Sequence, residues 1–307
     1  MGWIGWTALG ALLLAGALYA GWRYAHAAGA VALLELADRT LGGTAGTAIA
    51  ASGLAYGPDP AQRIEVIVPD TPGPHPVVVF FHGGGWHSGR PEDYRFVGRM
   101  LARAGHVAVL PGYRLGRAGV YPRMLEDGAA ALAWTRAEIA RFGGDPRQVA
   151  LMGHSAGAHT AVMLGLERRW LARHGLPDRF VTGVVGLSGP YDFHPFTSDS
   201  ARDAFGHVAD PALTQPVTFV RGDAPPMLLV TGDADTTVRP RNSRALARAL
   251  AGAGAEADLV VLEGVDHAGP VVKLAHPFSR DARVRDAVLR FLARQRAVSV
   301  PVQPERR

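Results

Sequence analysis

Ser155 stands in Gly153-His154-Ser155-Ala156-Gly157, a G-x-S-x-G pentapeptide between two different hydrophobic patterns. The run Gln148 to Met152 before it is short and apolar, as a buried strand is. The small-residue run Ala156 to Leu166 after it has helical character. A serine on a tight strand-to-helix turn exposes its hydroxyl, and amides at the start of the helix favour a developing negative charge. Gly153 and Gly157 let such a turn close, because a Cβ there would meet the adjacent backbone. The chemistry this arrangement allows is nucleophilic attack on a carbonyl carbon.

Three further groups stand where that chemistry needs them. His82-Gly83-Gly84-Gly85-Trp86 follows the apolar run Val77 to Phe81. Glycines there can turn backbone amides toward a tetrahedral oxyanion, which needs preorganised donors. Gly232-Asp233-Ala234-Asp235 follows the apolar run Met227 to Val230, and either aspartate is placed to orient a histidine. Val265-Asp266-His267-Ala268-Gly269 follows the last apolar run, Leu259 to Leu262. A serine hydroxyl is a weak nucleophile without a base, and imidazole suits neutral pH. His82, His87, His154 and His159 are nearer to Ser155 in sequence. His154, inside the elbow, is expected to point its side chain away from that of Ser155, and His82 is expected to brace the glycine loop. His267 completes the order Ser, Asp, His.

The elements that must hold these groups alternate in type. Strands are expected at Ile64 to Val68, Val77 to Phe81, Val107 to Leu110, Gln148 to Met152, Val181 to Leu187, Met227 to Val230 and Leu259 to Leu262. Helical patterns fall at Pro91 to Ala104, Met124 to Phe142, Ala156 to Leu166, Asn242 to Ala251 and Ala282 to Gln295. Alternation of this kind implies a mostly parallel sheet with helices on both faces. Between Gly189 and Pro225 the pattern breaks, with Tyr191, Phe193, Phe196 and Phe205 among polar residues, and a small cap insertion is expected at about 190–224.

On these motifs the chain resembles the α/β-hydrolases of the carboxylesterase type. It is similar to the hormone-sensitive-lipase-like and feruloyl-esterase-like carboxylesterases and to the kynurenine-formamidase group. The resemblance runs from about Leu54 to Gln295 and includes His82 to Trp86, Tyr113-Arg114-Leu115, Gly153 to Gly157 and Asp266-His267. It implies a triad of Ser155, Asp235 and His267. Asp235 is preferred to Asp233 because the family's acid lies shortly before an element such as Thr236-Thr237-Val238. It implies an oxyanion hole from the amides of Gly84, Gly85 and Ala156. The expected activity is hydrolysis of carboxylic esters of small molecules through an acyl-enzyme, with no metal or cofactor. An amidase or arylformamidase would use the same residues, and a non-catalytic hydrolase fold serving as a binding module is the rival from another class. The membrane-anchored isoprenylcysteine methylesterases are a looser likeness.

Composition limits the other possibilities. The chain has 307 residues, 48% of them hydrophobic, enough for one large α/β domain and an appendage. It has no cysteine, which excludes a thiol nucleophile, thiolate metal sites and disulfides. The net charge of +5 is almost all arginine, Lys273 being the one lysine. Arg168, Arg169, Arg239, Arg241 and Arg244 are scattered without interleaved aromatics, so they are expected on a solvated surface and nucleic acid is not an expected partner.

Trp3 to Trp22 carries no charged residue, and its roughly 20 residues match a bilayer's hydrocarbon core. Aromatic rings stand at both ends, as at an interface. A single-pass N-terminal anchor is expected over residues 1–27. A signal peptide cleaved after Ala25-His26-Ala27 is the competitor. A helix is expected from Val31 to Arg39, and the Gly-, Ala- and Thr-rich Leu41 to Gly53 reads as a linker. Residues 28–53 then join the anchor to a catalytic domain at 54–297, followed by a flexible tail at 298–307. With every candidate group beyond Ala50, a chain beginning near Thr44 is expected to keep its activity.

Overall fold

The computed structural model describes residues 30–276 and 278–299. Eight strands form one sheet: β1 Thr47–Ala55, β2 Arg63–Pro69, β3 His75–Phe81, β4 Val107–Pro111, β5 Gly144–His154, β6 Val181–Leu187, β7 Met227–Gly232 and β8 Ala257–Leu262. Their order is β1-β2-β4-β3-β5-β6-β7-β8. β2 runs antiparallel to both β1 and β4, and every pairing from β4 to β8 is parallel. The described helices are α1 at 30–37, α2 Arg95–Arg103, α3 Arg123–Glu138, α4 Ala156–Leu166, α5 Arg168–Ala172, α6 Asp199–Phe205, α7 Arg241–Gly252, α8 Gly269–Val272 and α9 Arg283–Ser299.

The sheet is buried on both faces because its central strands are built on continuous apolar runs. In β3, Val77, Val79 and Phe81 enter one core, with Met124 and Leu132 of α3, Val162 of α4 and Leu246 of α7. Val78 and Phe80 enter the other, with Phe96 and Met100 of α2, Val288 and Phe291 of α9 and Leu34 of α1. Successive side chains of a strand point to opposite faces, so one continuous run supplies both layers. Parallel pairing then forces each connection over a face of the sheet, and the strand ends that precede the candidate motifs all lie at one edge.

Two expectations about the N-terminal region change. Most of the segment read as a linker is β1, an edge strand paired to β2 from Thr47↔Pro69 to Ala55↔Arg63 with two register shifts. Most of its side chains are exposed, so backbone pairing holds it and no alternation of apolar residues announces it. Ser52 Oγ and Gly53 N also donate to Glu65 Oε1, at 2.9 and 2.8 Å. Nor is the helix before it a spacer. α1 buries Ala32 and Leu34, and Arg99, only 3% exposed, donates to Glu35 and Asp38. Asp38 also accepts from the backbone of His276 at 2.7 Å. A chain beginning at Thr44 would lose the contacts of α1, Glu35 and Asp38.

Trp3 to Trp22 lies outside the described residues, as does the tail from 300. Among the described residues no helix is long and apolar enough to cross a membrane.

Candidate active site

β5 ends at His154, and Ser155 takes φ 53° and ψ −119° before α4 begins at Ala156. Positive φ is costly for any residue with a Cβ, so the turn persists only where its surroundings enforce it. Ser155 N donates to Leu187 O of β6 at 2.8 Å, and Ser155 O accepts from Ala158 and His159 at 3.0 and 3.1 Å. The neighbouring glycines permit the approach. A Cβ on Gly153 would collide with Gly157 O, and one on Gly157 with the carbonyls of Phe81 and His82. The elbow therefore sits directly against the end of β3, where the glycine loop starts.

The turn brings together three groups that are far apart in sequence. His267 Nε2 lies 2.8 Å from Ser155 Oγ, and His267 Nδ1 lies 2.8 Å from Asp235 Oδ2. A neutral imidazole that donates Nδ1–H to the carboxylate presents an Nε2 lone pair to the hydroxyl, which is the tautomer a general base needs. Asp235 is 3% exposed, and its Oδ1 accepts from Thr237 N and Val238 N at 2.9 and 2.8 Å. Two backbone donors and one imidazole thus satisfy a buried carboxylate. Asp233 is exposed and accepts from Gly264 N at 2.7 Å; it caps a turn and does not reach the histidine.

Gly84 and Gly85 line the same cavity as Ser155, with φ of 122° and 58°. Gly84 O accepts from His87 N and Ser88 N, which closes the loop into a turn. Among the described residues the N–H groups of Gly84, Gly85 and Ala156 meet no protein acceptor. Ala156, as the first residue of α4, has no intrahelical one. Such a set can receive an anionic oxygen. His82 braces the loop. Its ring stacks on Tyr113 at 4.4 Å, its Nδ1 donates to Gly83 O at 2.8 Å, and Tyr113 Oη donates to His82 O at 2.8 Å. Burial lowers the His82 pKa to about 4, so this ring is a neutral strut.

His154 departs from expectation. It lines the cavity beside Ser155, and its Nε2 donates to His267 O at 3.2 Å. Alternation separates neighbouring side chains only while both residues are extended, and the positive φ at Ser155 breaks it. Burial, and then the nearby His267, lower its pKa to about 4, so the ring stays neutral and tethers the histidine loop. His159 also stays neutral. It is buried, its pKa is lowered to about 4 by that burial, and Nε2 donates to Thr214 O at 2.8 Å.

The cavity measures about 750 Å³ and contains residues that periodicity had not marked. One wall is aromatic, with the Trp86 and Phe193 rings 6.1 Å apart and 20° from parallel. Phe193 comes from the insertion, which holds α6 and two 3₁₀ turns, Pro211–Thr214 and Pro216–Phe219. Val31 of α1 reaches another wall. Arg239 and Arg241 are exposed, as expected of a solvated surface, and they also line the cavity. They follow Asp235, Arg239 on the loop after β7 and Arg241 at the start of α7.

A parallel sheet wrapped by helices, with a serine elbow and a histidine and an acid on later loops, defines the α/β-hydrolase class. Within that class the chain belongs to the BD-FAE family, whose model matches residues 65–250. Esterase LipC of Mycobacterium tuberculosis is 32% identical over 219 residues, which are 64% of this chain and 53% of that one. A probable isoprenylcysteine α-carbonyl methylesterase of Oryza sativa subsp. japonica is 27% identical over 272 residues, 76% of this chain and 65% of that one. The chain spans about half to two thirds of the length of these curated relatives. Among solved structures, esterase B from Lactobacillus rhamnosis superposes with a TM-score of 0.74 at 22% identity, covering 93% of this chain and 97% of that one. This last likeness concerns the fold alone.

Proposed function

We propose that the protein is a membrane-tethered serine carboxylesterase working through an acyl-enzyme. The observation that carries the catalytic part is the pair of 2.8 Å hydrogen bonds linking Ser155 Oγ, His267 and buried Asp235. Ser155 Oγ attacks the ester carbonyl while His267 Nε2 takes its proton. Asp235 orients the ring and stabilises the imidazolium. The amides of Gly84, Gly85 and Ala156 stabilise the oxyanion. His267 gives the proton to the departing alcohol oxygen, and water then attacks the acyl-enzyme with the same base. The names of the relatives, an esterase and a methylesterase, favour an ester over a formamide. A fluorophosphonate is expected to label the protein. In a panel of p-nitrophenyl esters with an N-formyl aromatic amine alongside, ester turnover is expected to exceed deformylation. Faster deformylation would make the protein an arylformamidase, and absence of both labelling and turnover would make it a binding module.

The tether rests on the uncharged apolar run Trp3 to Trp22. The full chain is expected to fractionate with membranes and to resist high-salt extraction, since apolar burial is not screened as surface charge is. A chain starting at Ala28 is expected to leave the membrane fraction and stay active. One starting at Thr44 lacks the partners of Arg99 and the wall at Val31. It is expected to be less stable by about 3 kcal/mol, a fall in Tm of roughly 5–10 °C. A mature chain whose intact mass begins near Ala28 would identify a cleaved signal peptide and end the anchoring reading.

A further inference from the structure

The cavity at Ser155 carries unbalanced positive charge. Arg239 and Arg241 are among its lining residues, and no aspartate or glutamate is. Neither arginine forms an ion pair among the described residues, whereas Arg95, Arg99 and Arg114 each pair with a carboxylate. No acidic side chain in the first turn of α7 offsets them. Both residues are exposed, so an anionic group in the cavity can reach their side chains.

Their backbone is fixed relative to the reacting groups. Asp235, whose Oδ2 meets His267, uses Oδ1 to hold the amides of Thr237 and Val238 just before Arg239. Asn242, 4% exposed, donates to Arg239 O at 3.2 Å. Its Oδ1 accepts from Tyr191 N and Asp192 N at 3.0 and 2.9 Å. The loop is thus pinned both to the triad acid and to the start of the insertion. The Trp86 and Phe193 rings line the same cavity. One substrate can therefore meet an apolar wall, the serine and a cationic pair together.

We infer that this site takes an ester bearing an anionic group, a carboxylate or a phosphate, held by Arg239 and Arg241 away from the scissile bond. The inference rests on the ester-hydrolysis reading above and narrows its substrate class. Planar guanidinium groups pair with both kinds of anion through two parallel N–H donors. The reaction is unchanged: water adds across the acyl C–O bond to give an acid and an alcohol, and the anionic group only binds.

Matched esters test this. 4-Nitrophenyl hemiglutarate and 4-nitrophenyl valerate differ in a terminal carboxylate or methyl on the acyl side. 4-Acetoxybenzoate and 4-acetoxyphenyl phosphate, each against methyl 4-acetoxybenzoate, place a carboxylate or a phosphate on the alcohol side. Each kcat/KM is divided by the hydroxide-catalysed rate of the same ester, to remove intrinsic reactivity. The anionic member of at least one pair is expected to be favoured by about tenfold, a charge-assisted contact of ordinary strength. The preferred pair tells the side of the ester and whether carboxylate or phosphate is the better fit. The preference is expected to shrink in about 0.5 M NaCl and to approach unity in the Arg239→Gln/Arg241→Gln double variant. It is a ratio within one preparation, so partial misfolding of a variant does not affect it. Hydrolysis without preference in any pair, or a preference that the double variant keeps, overturns the inference and leaves the esterase reading standing. If no ester is hydrolysed, the esterase reading fails and the inference fails with it.

Discussion

Ser155→Ala is expected to abolish covalent labelling by a fluorophosphonate and to lower ester turnover by roughly 10³-fold or more. The hydroxyl lies 2.8 Å from His267 Nε2, and among the described residues no other hydroxyl is hydrogen-bonded to that nitrogen. What remains after its removal is binding and oxyanion stabilisation, which give a small residual rate. The loss should be chemical and not structural. Ser155 makes no side-chain cap to α4, and its backbone bonds to Leu187, Ala158 and His159 survive the change. Alanine at φ 53° is strained about as much as serine is. A thermal melt within a degree or two of the parent protein is therefore expected alongside the loss of activity. Full labelling of the variant would remove Ser155 from the role of nucleophile.

Asp235→Asn is expected to impair turnover by roughly 10⁴-fold, the loss that follows when the base is held in the wrong tautomer. The asparagine Oδ1 can still accept from Thr237 and Val238, so the loop keeps its shape. Its Nδ2 can only donate, and a donor facing His267 Nδ1 stabilises the tautomer with the proton on Nε2, turned toward Ser155. That ring cannot take the serine proton. Asp233→Asn should lose far less, because the exposed Asp233 only accepts from Gly264 N, a bond that an amide oxygen can keep. Kinetics of the two variants on one p-nitrophenyl ester rank them. The reverse ranking would move the acid by two residues.

The groups proposed for chemistry were legible because their chemistry constrains local sequence. A strand-to-helix turn that forces positive φ on Ser155 needs glycine at Gly153 and Gly157, and in the structure a Cβ at either position would collide with backbone. The glycine loop and the order of serine, acid and histidine carry information of the same kind. Asp233 and Asp235 were harder to separate. Both follow β7, and distinguishing them took a family likeness before the fold buried Asp235 and exposed Asp233.

The central sheet and its flanking helices were determined by sequence alone, because a strand buried on two faces must be apolar along its buried run, as β3 is from Pro76 to Phe81, and a helix covering it must repeat its apolar residues on one stripe. Tertiary structure alone decided the parts held by backbone pairing or by long-range contact. β1 is such a part: its side chains are mostly exposed and its stability lies in hydrogen bonds to β2, which no side-chain pattern reports. The docking of α1 through Glu35 and Asp38 onto Arg99 spans more than sixty residues, and charge spacing within a helix says nothing about a partner at that distance. The turn of His154 toward the His267 loop and the aromatic wall of Trp86 and Phe193 have the same origin. Each depends on which strand ends share an edge of the sheet, and that is fixed by the strand order β3-β5-β6-β7-β8 and not by any local run of residues.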